Sequence, residues 1–192
     1  MATLIWHSRP TYAVRAVLPT LLALFAAAGA VRAQQPRTES EIKAAYLFTF
    51  GRFVEWPARA AAGDVAICVL GADPFGPVLD ATLTAATLRG RKVVATRVRT
   101  LEEAAPCHIL FVSASEERQL PAIVAALARR DVLTVSDMPR FVGRGGMVQF
   151  VTAGSRVRFE IDLAAALDAG LMLSSDLLRV ASAVRRGPQA GP

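Results

Sequence analysis

Apolar residues fall along this chain in short runs and spaced stripes, and the period changes from one segment to the next. The central run is Val65-Ala66-Ile67-Cys68-Val69-Leu70, which carries no charge and is closed by Gly71-Ala72-Asp73-Pro74-Phe75-Gly76. A run of this kind predicts an interior parallel strand. The residues after it predict a helix over 73–86, with Asp73 capping free N–H groups and Pro74 at the first helical position.

Before that strand, residues 39–56 read as a helix. Ile42, Ala45, Tyr46, Phe50 and Phe53 recur at spacings of three and four, and Leu47, Phe48, Val54 and Trp56 widen the stripe. Pro57 ends it, and residues 59–63 form a link. After it, strands are predicted over 91–98, 108–112 and 132–136. A helix over 115–130 is capped by Ser115 and finishes on Arg129 and Arg130. These strand–helix cycles predict parallel pairing.

The period then shortens. Strands over 147–152 and 156–161 are separated by Ala153-Gly154-Ser155, which predicts a hairpin. Its second strand places Arg156 and Arg158 on one face and Val157, Phe159 and Ile161 on the other. Helices over 162–169 and 174–185 follow, started by Asp162 and Ser174. The fold class is α/β: three layers, a mostly parallel central sheet flanked by helices, and a C-terminal antiparallel hairpin adding edge strands. One domain spans 34–186, and residues 187–192 read as a disordered tail.

Composition changes the picture at the N-terminus. Arg9 and Arg15 precede the uncharged stretch 16–30, which contains Pro19, and Val31-Arg32-Ala33 follows. This is the order of an export signal cleaved after Ala33. The stretch is shorter than the roughly 20 residues that cross a bilayer. Loss of Arg9, Arg15 and Arg32 lowers the net charge from +6 to +3. The remaining arginines are scattered, without the concentrated, aromatic-interleaved patch that nucleic-acid binding needs.

The chain has two cysteines, Cys68 and Cys107. An even number in an exported protein suggests one disulfide; two buried thiols are the competing reading. A metal site is not supported, because adjacent strand residues such as Cys107 and His108 face opposite ways, and no cofactor is implied.

Candidate chemistry is sparse. Ligands of parallel sheets bind beyond the C-terminal strand ends. Those ends offer Asp73 and Phe75, Ser113 to Ser115, and Asp137, with Arg140 and Arg144 on the adjoining loop. Helix starts and an arginine there could bind an anion; Asp73, Ser115 and Asp137 also suit plain turns and caps. The Gly71–Gly76 spacing matches neither a phosphate loop nor a dinucleotide fingerprint. No base is placed to activate a serine, which argues against an enzyme. The Gly-rich loop 137–146 is a candidate partner contact through Phe141, or a connection with Phe141 in the core. Trp56, near a helix end, is a candidate interface anchor or a residue buried against its own sheet.

Eight stretches together resemble the YfiR-like family of exported proteins, the DUF4154 domain. They are Glu41 to Pro57 (EIKAAYLFTFGRFVEWP), Ile67 to Gly76 (ICVLGADPFG), Leu88 to Val93 (LRGRKV), Cys107 to Ser113 (CHILFVS), Leu133 to Asp137 (LTVSD), Gly145 to Val148 (GGMV), Phe159 to Leu163 (FEIDL) and Gly170 to Leu178 (GLMLSSDLL). The resemblance implies a periplasmic α/β protein, often dimeric, without catalytic residues. It implies an inhibitory partner for the periplasmic domain of an inner-membrane receptor or diguanylate cyclase, keeping cyclic-di-GMP low and restraining biofilm formation. An outer-membrane lipoprotein would relieve that inhibition by sequestering it. Cys68 and Cys107 match the family's widespread disulfide pair. A second pair known near the final hairpin has no counterpart, since residues 137–152 hold no cysteine. The residues themselves also leave room for a small-molecule-binding module serving sensing or uptake.

Overall fold

A computed structural model describes residues 37–56, 63–154 and 156–187. The segment read as an export signal, most of the link after Trp56 and the tail beyond Gly187 lie outside the described residues.

The first helix, α1 (Glu39–Phe53), starts on a reciprocal cap: Thr38 Oγ1 accepts the Glu41 N–H, and the Glu41 carboxylate accepts the Thr38 N–H. Its buried face is Lys43, Ala44, Leu47, Phe50 and Gly51. The stripe read from the sequence is therefore turned by about one position. Ile42, Tyr46 and Phe53 flank the buried face. The helix also ends before Trp56. Val54 and Glu55 leave as β1 (Val54–Glu55) and pair antiparallel with β9 (Met172–Leu173). Pro57 accounts for this, since proline disfavours helical backbone in the residue before it.

The uncharged run forms β2 (Val65–Leu70), buried at every position but Ala66. It lies between β4 (Arg91–Val98) and β5 (Ile109–Val112), parallel to both, with Cys68 opposite Thr96 and Leu110. β6 (Leu133–Ser136) and β7 (Val148–Ala153) continue the parallel series beyond β5. β8 (Arg156–Asp162) returns antiparallel to β7. As expected, Val157, Phe159 and Ile161 of β8 are buried and Arg156 and Arg158 exposed.

Two edges differ from the sequence reading. β3 (Thr87–Leu88) folds back onto β4. Its two-residue turn puts Arg89 at φ 50° and Gly90 at φ 78°, the backbone of a primed hairpin turn. At the other edge, residues 174–185 are not one helix. α5 (Ser175–Val180) stops, and β10 (Ala183–Arg185) runs parallel to β8 and covers it. The switch is local: Ser182 donates both its N–H and its hydroxyl to Phe159 C=O, at 2.8 and 2.7 Å. The sheet order is β10-β8-β7-β6-β5-β2-β4-β3.

Helices cover the sheet on both faces. On one, α1 packs with α2 (Pro77–Leu83), α4 (Leu163–Asp168) and α5 around Ile67, Val69, Ile109 and Phe111. Phe50, Phe150, Phe159 and Tyr46 add a ring cluster with centroids 5.1–6.0 Å apart. On the other, α3 (Leu120–Leu127) covers Cys68, Leu70, Leu110 and Val112. Asp162 and Ser174 cap α4 and α5 as read.

Candidate functional site

Cys68 and Cys107 form a disulfide across 39 residues, with Cα atoms 5.9 Å apart. Both are buried on the α3 face. The bond ties the middle of β2 to the entry of β5. His108 beside it belongs to the fold, since its Nδ1 accepts the Ala66 N–H at 3.2 Å. Its carbonyl accepts the Trp56 indole N–H at 3.1 Å, and the Trp56 ring stands edge-on to the imidazole at 5.6 Å. Trp56 is thus half-buried at the N-terminal end of β5, away from the strand exits, with its polar atom bonded internally. Among the described residues, no three His, Cys, Asp or Glu side chains gather as a metal site.

The strand order makes the exits of β2 and β5 the natural ligand crevice, because the chain leaves β2 toward β4 on one side and leaves β5 toward β6 on the other. The chain fills that crevice itself. Ser115 Oγ accepts the Ala72 N–H at 2.9 Å and donates to Glu116 Oε1 at 2.9 Å. A Cβ on Gly71, which has φ 88°, would stand 2.4 Å from Ser115 Oγ and 2.5 Å from Glu116 Oε1. Only glycine fits beneath this bond. Ser113, not Ser115, caps the following 3-10 turn, Ala114–Gln119.

Asp73 and Phe75 close the same crevice. Asp73 accepts the Phe75 N–H at 2.8 Å and pairs with Arg97 Nε at 2.8 Å. Holding this turn, it does not cap α2. The helix instead begins at Pro77 after Gly76, later than the sequence reading put it. Arg97 also reaches Asp80 Oδ1 at 2.8 Å and Gly76 C=O at 2.6 Å. Its bond holds the Asp80 carboxyl below the ordinary carboxylate range. Phe75 is buried, edge-on to Phe111 at 4.8 Å.

The loop 137–146 divides its candidates between two places. Asp137 turns back to α1 and accepts from Lys43 Nζ at 2.7 Å. Phe141 is fully buried on the α3 face. Its ring occupies the space a Gly146 side chain would take, with Cε1 only 2.1 Å from the ideal Cβ. Arg140, exposed at φ 59°, and Arg144 border an open cavity of about 640 Å³. Gln149 of β7, Glu160 of β8 and Arg185 of β10 complete its wall.

Of the candidates read from sequence, then, Arg140 and Arg144 share a cavity, while Trp56, Asp73, Phe75, Asp137 and Phe141 do not line it. Sequence reasoning missed Gln149, Glu160 and Arg185 there, and Lys43 and Arg97 elsewhere. Lys43 carried a signal: it lies four residues before Leu47 on the innermost helical face. Arg185 carried none, because the segment bearing it reads as helix.

No helix among the described residues is long and apolar enough to cross a membrane. A family model described as DUF4154, YfiR/HmsC-like, matches residues 40–182, from the start of α1 to just beyond α5. With the match covering most of its length, the chain belongs to the YfiR/HmsC-like family.

Proposed function

We propose that this protein is a periplasmic regulator that represses a membrane-bound signalling protein, a diguanylate cyclase, and so lowers cyclic-di-GMP output. The observation that carries this reading is the family match over residues 40–182, because that family is consistent with a periplasmic, regulatory role without catalysis. The buried disulfide fits an oxidising compartment, and the N-terminal segment fits an export signal cleaved after Ala33. The filled crevice at the β2 and β5 exits fits a protein that works by contact.

Repression then acts by occupancy. The protein, as a homodimer, binds the receptor's outer domain more tightly in the inactive state. Moving such a receptor from about 1:99 to 99:1 needs roughly 10⁴-fold tighter binding to the favoured state. An outer-membrane lipoprotein relieves repression by competing for the free regulator. Deleting the gene in the producing organism raises cyclic-di-GMP; an unchanged level with the cyclase expressed overturns the proposal.

The arginine-walled cavity favours a second reading, a small-molecule-binding module for sensing or uptake. Native mass spectrometry of protein taken directly from periplasmic extract separates the two: a bound metabolite supports this module, and repeatedly empty protein removes its basis.

A further inference from the structure

We propose that the cavity between loop 137–146 and strands β7, β8 and β10 is a binding site for a small oxyanion, a phosphate or carboxylate carrying a neighbouring hydroxyl or ammonium group. This holds whatever membrane partner the protein has.

Three guanidinium groups border the cavity: Arg140, Arg144 and Arg185. Each offers five N–H donors and no acceptor, in a fork that matches planar oxyanions. Two are held from behind. Glu117 accepts from Arg144 through its carboxylate at 3.2 Å and its carbonyl at 3.3 Å, which leaves other Arg144 donors unspent. Asp162 Oδ2 lies 3.8 Å from Arg185 Nε, an ion-pair distance too long for a hydrogen bond. Arg185 Nε is buried without a hydrogen-bond partner among the described residues. Such an atom is costly to leave unpaired.

The backbone is shaped around these groups. A Cβ at Gly143 would come within 3.3 Å of Arg185 Nη1, so glycine lets that guanidinium lie close against the loop. Next to it Arg140 takes φ 59°, a left-handed conformation that is unfavourable for a non-glycine residue. Strain of this kind concentrates where a side chain must be aimed. Arg140 has no ion pair among the described residues.

Glu160 sets the selectivity. It is half-buried in the same wall and forms no ion pair among the described residues. A dianion with no donor of its own, such as succinate, would meet the arginines and repel this carboxylate, whereas hydrogen phosphate keeps a P–OH to turn toward it. A ligand with a donor beside its anionic group satisfies both. Gln149 already spends Oε1 on the Val142 N–H at 3.3 Å, which fixes its amide in the wall and ties the loop to β7.

The test is calorimetric titration of the purified mature protein with inorganic phosphate, succinate and serine, each at constant ionic strength with chloride as the control. Saturable binding of phosphate or serine, weakened about tenfold or more by Arg140→Gln and by Arg185→Gln, is the expected result. Exposed Arg129→Gln leaves it unchanged. Phosphate binding alone assigns a phosphate ligand, and serine binding alone a carboxylate ligand. Because Arg140 is exposed, its variant folds even if Arg185→Gln does not. Absence of saturable binding, equal affinity in Arg140→Gln, or succinate bound more tightly than both other probes overturns the proposal.

Discussion

Lys43 Nζ and Asp137 Oδ2 stand 2.7 Å apart, joining the first turns of α1 to the loop that follows β6. Glu39 flanks the same ammonium at 2.6 Å, and the Phe150 ring lies 6.0 Å beneath it. Lys43 is only 8% exposed, so this is a mostly desolvated cation with two carboxylates. Burial alone would lower its pKa, but the bonds to Asp137 and Glu39 outweigh it and the net shift is upward. A raised lysine pKa gives stability that is fully present below the unfolded value and lost as pH rises through the folded one. Asp137→Asn therefore costs about 1–3 kcal/mol at neutral pH. The gap between variant and parent narrows above about pH 10.5, the unfolded lysine's value, and closes as pH rises through the higher folded one. Urea midpoints at neutral and alkaline pH check both statements; a constant gap contradicts them.

Phe141 separates two roles for the loop. A core residue of its size costs about 3–5 kcal/mol when cut to alanine. A surface contact would cost little stability and lose partner binding instead. Its complete burial predicts the first outcome for Phe141→Ala. Gly146→Ala reports on the same packing from the other side, since the new methyl must displace the Phe141 ring; an overpacking cost of about 1–3 kcal/mol follows. Thermal melts of both variants give the answer, and unchanged melting of Phe141→Ala would place the ring outside the core.

Much of the fold was legible because its signals are local and repeated. The uncharged run at Val65–Leu70 became a central strand, and Val157, Phe159 and Ile161 became the inner face of β8. Asp162 and Ser174 became caps. What misled was local chemistry redirected from a distance. Asp73 looks like a cap, yet Arg97, 24 residues later, holds it in a turn. Residues 181–185 follow helix propensity, yet the open edge of β8 recruits the last three of them as β10. The cavity was least legible, because Arg140, Gln149, Glu160 and Arg185 come from four segments that only strand pairing brings together.

Arg97 is the hub of the turn after β2. Arg97→Gln frees Asp73, Asp80 and the Gly76 carbonyl together. The groups are partly exposed, so the global cost stays near 1 kcal/mol or below. The local effect is larger: amide exchange at Phe75, whose N–H rests on Asp73, speeds up while exchange in β2 stays slow. Acid acts on the same cluster. The lowered Asp80 pKa gives stability present above the unfolded value of 3.8 and lost as pH falls through the folded value. Acidification below 3.8 therefore costs the parent this contribution, which Arg97→Gln lacks already. Exchange rates at Phe75 that match in parent and variant at neutral pH would remove Arg97 from this role.

The disulfide supplies the last prediction. Cys68 and Cys107 close a loop across 39 residues, which a chain-entropy estimate values at about 4 kcal/mol, an upper figure when native strain intervenes. Both sulfurs sit in an apolar layer with Leu70, Leu110 and Val112. Reduction thus leaves two small apolar side chains in place and removes mainly the covalent constraint. Cys68→Ser lowers the melting temperature by several degrees under oxidising conditions, and by much less when parent and variant are both reduced. The residual gap under reduction measures the cost of burying a hydroxyl where a sulfur was. Equal gaps in both conditions would mean that the crosslink contributes nothing and that packing at Cys68 alone sets the loss.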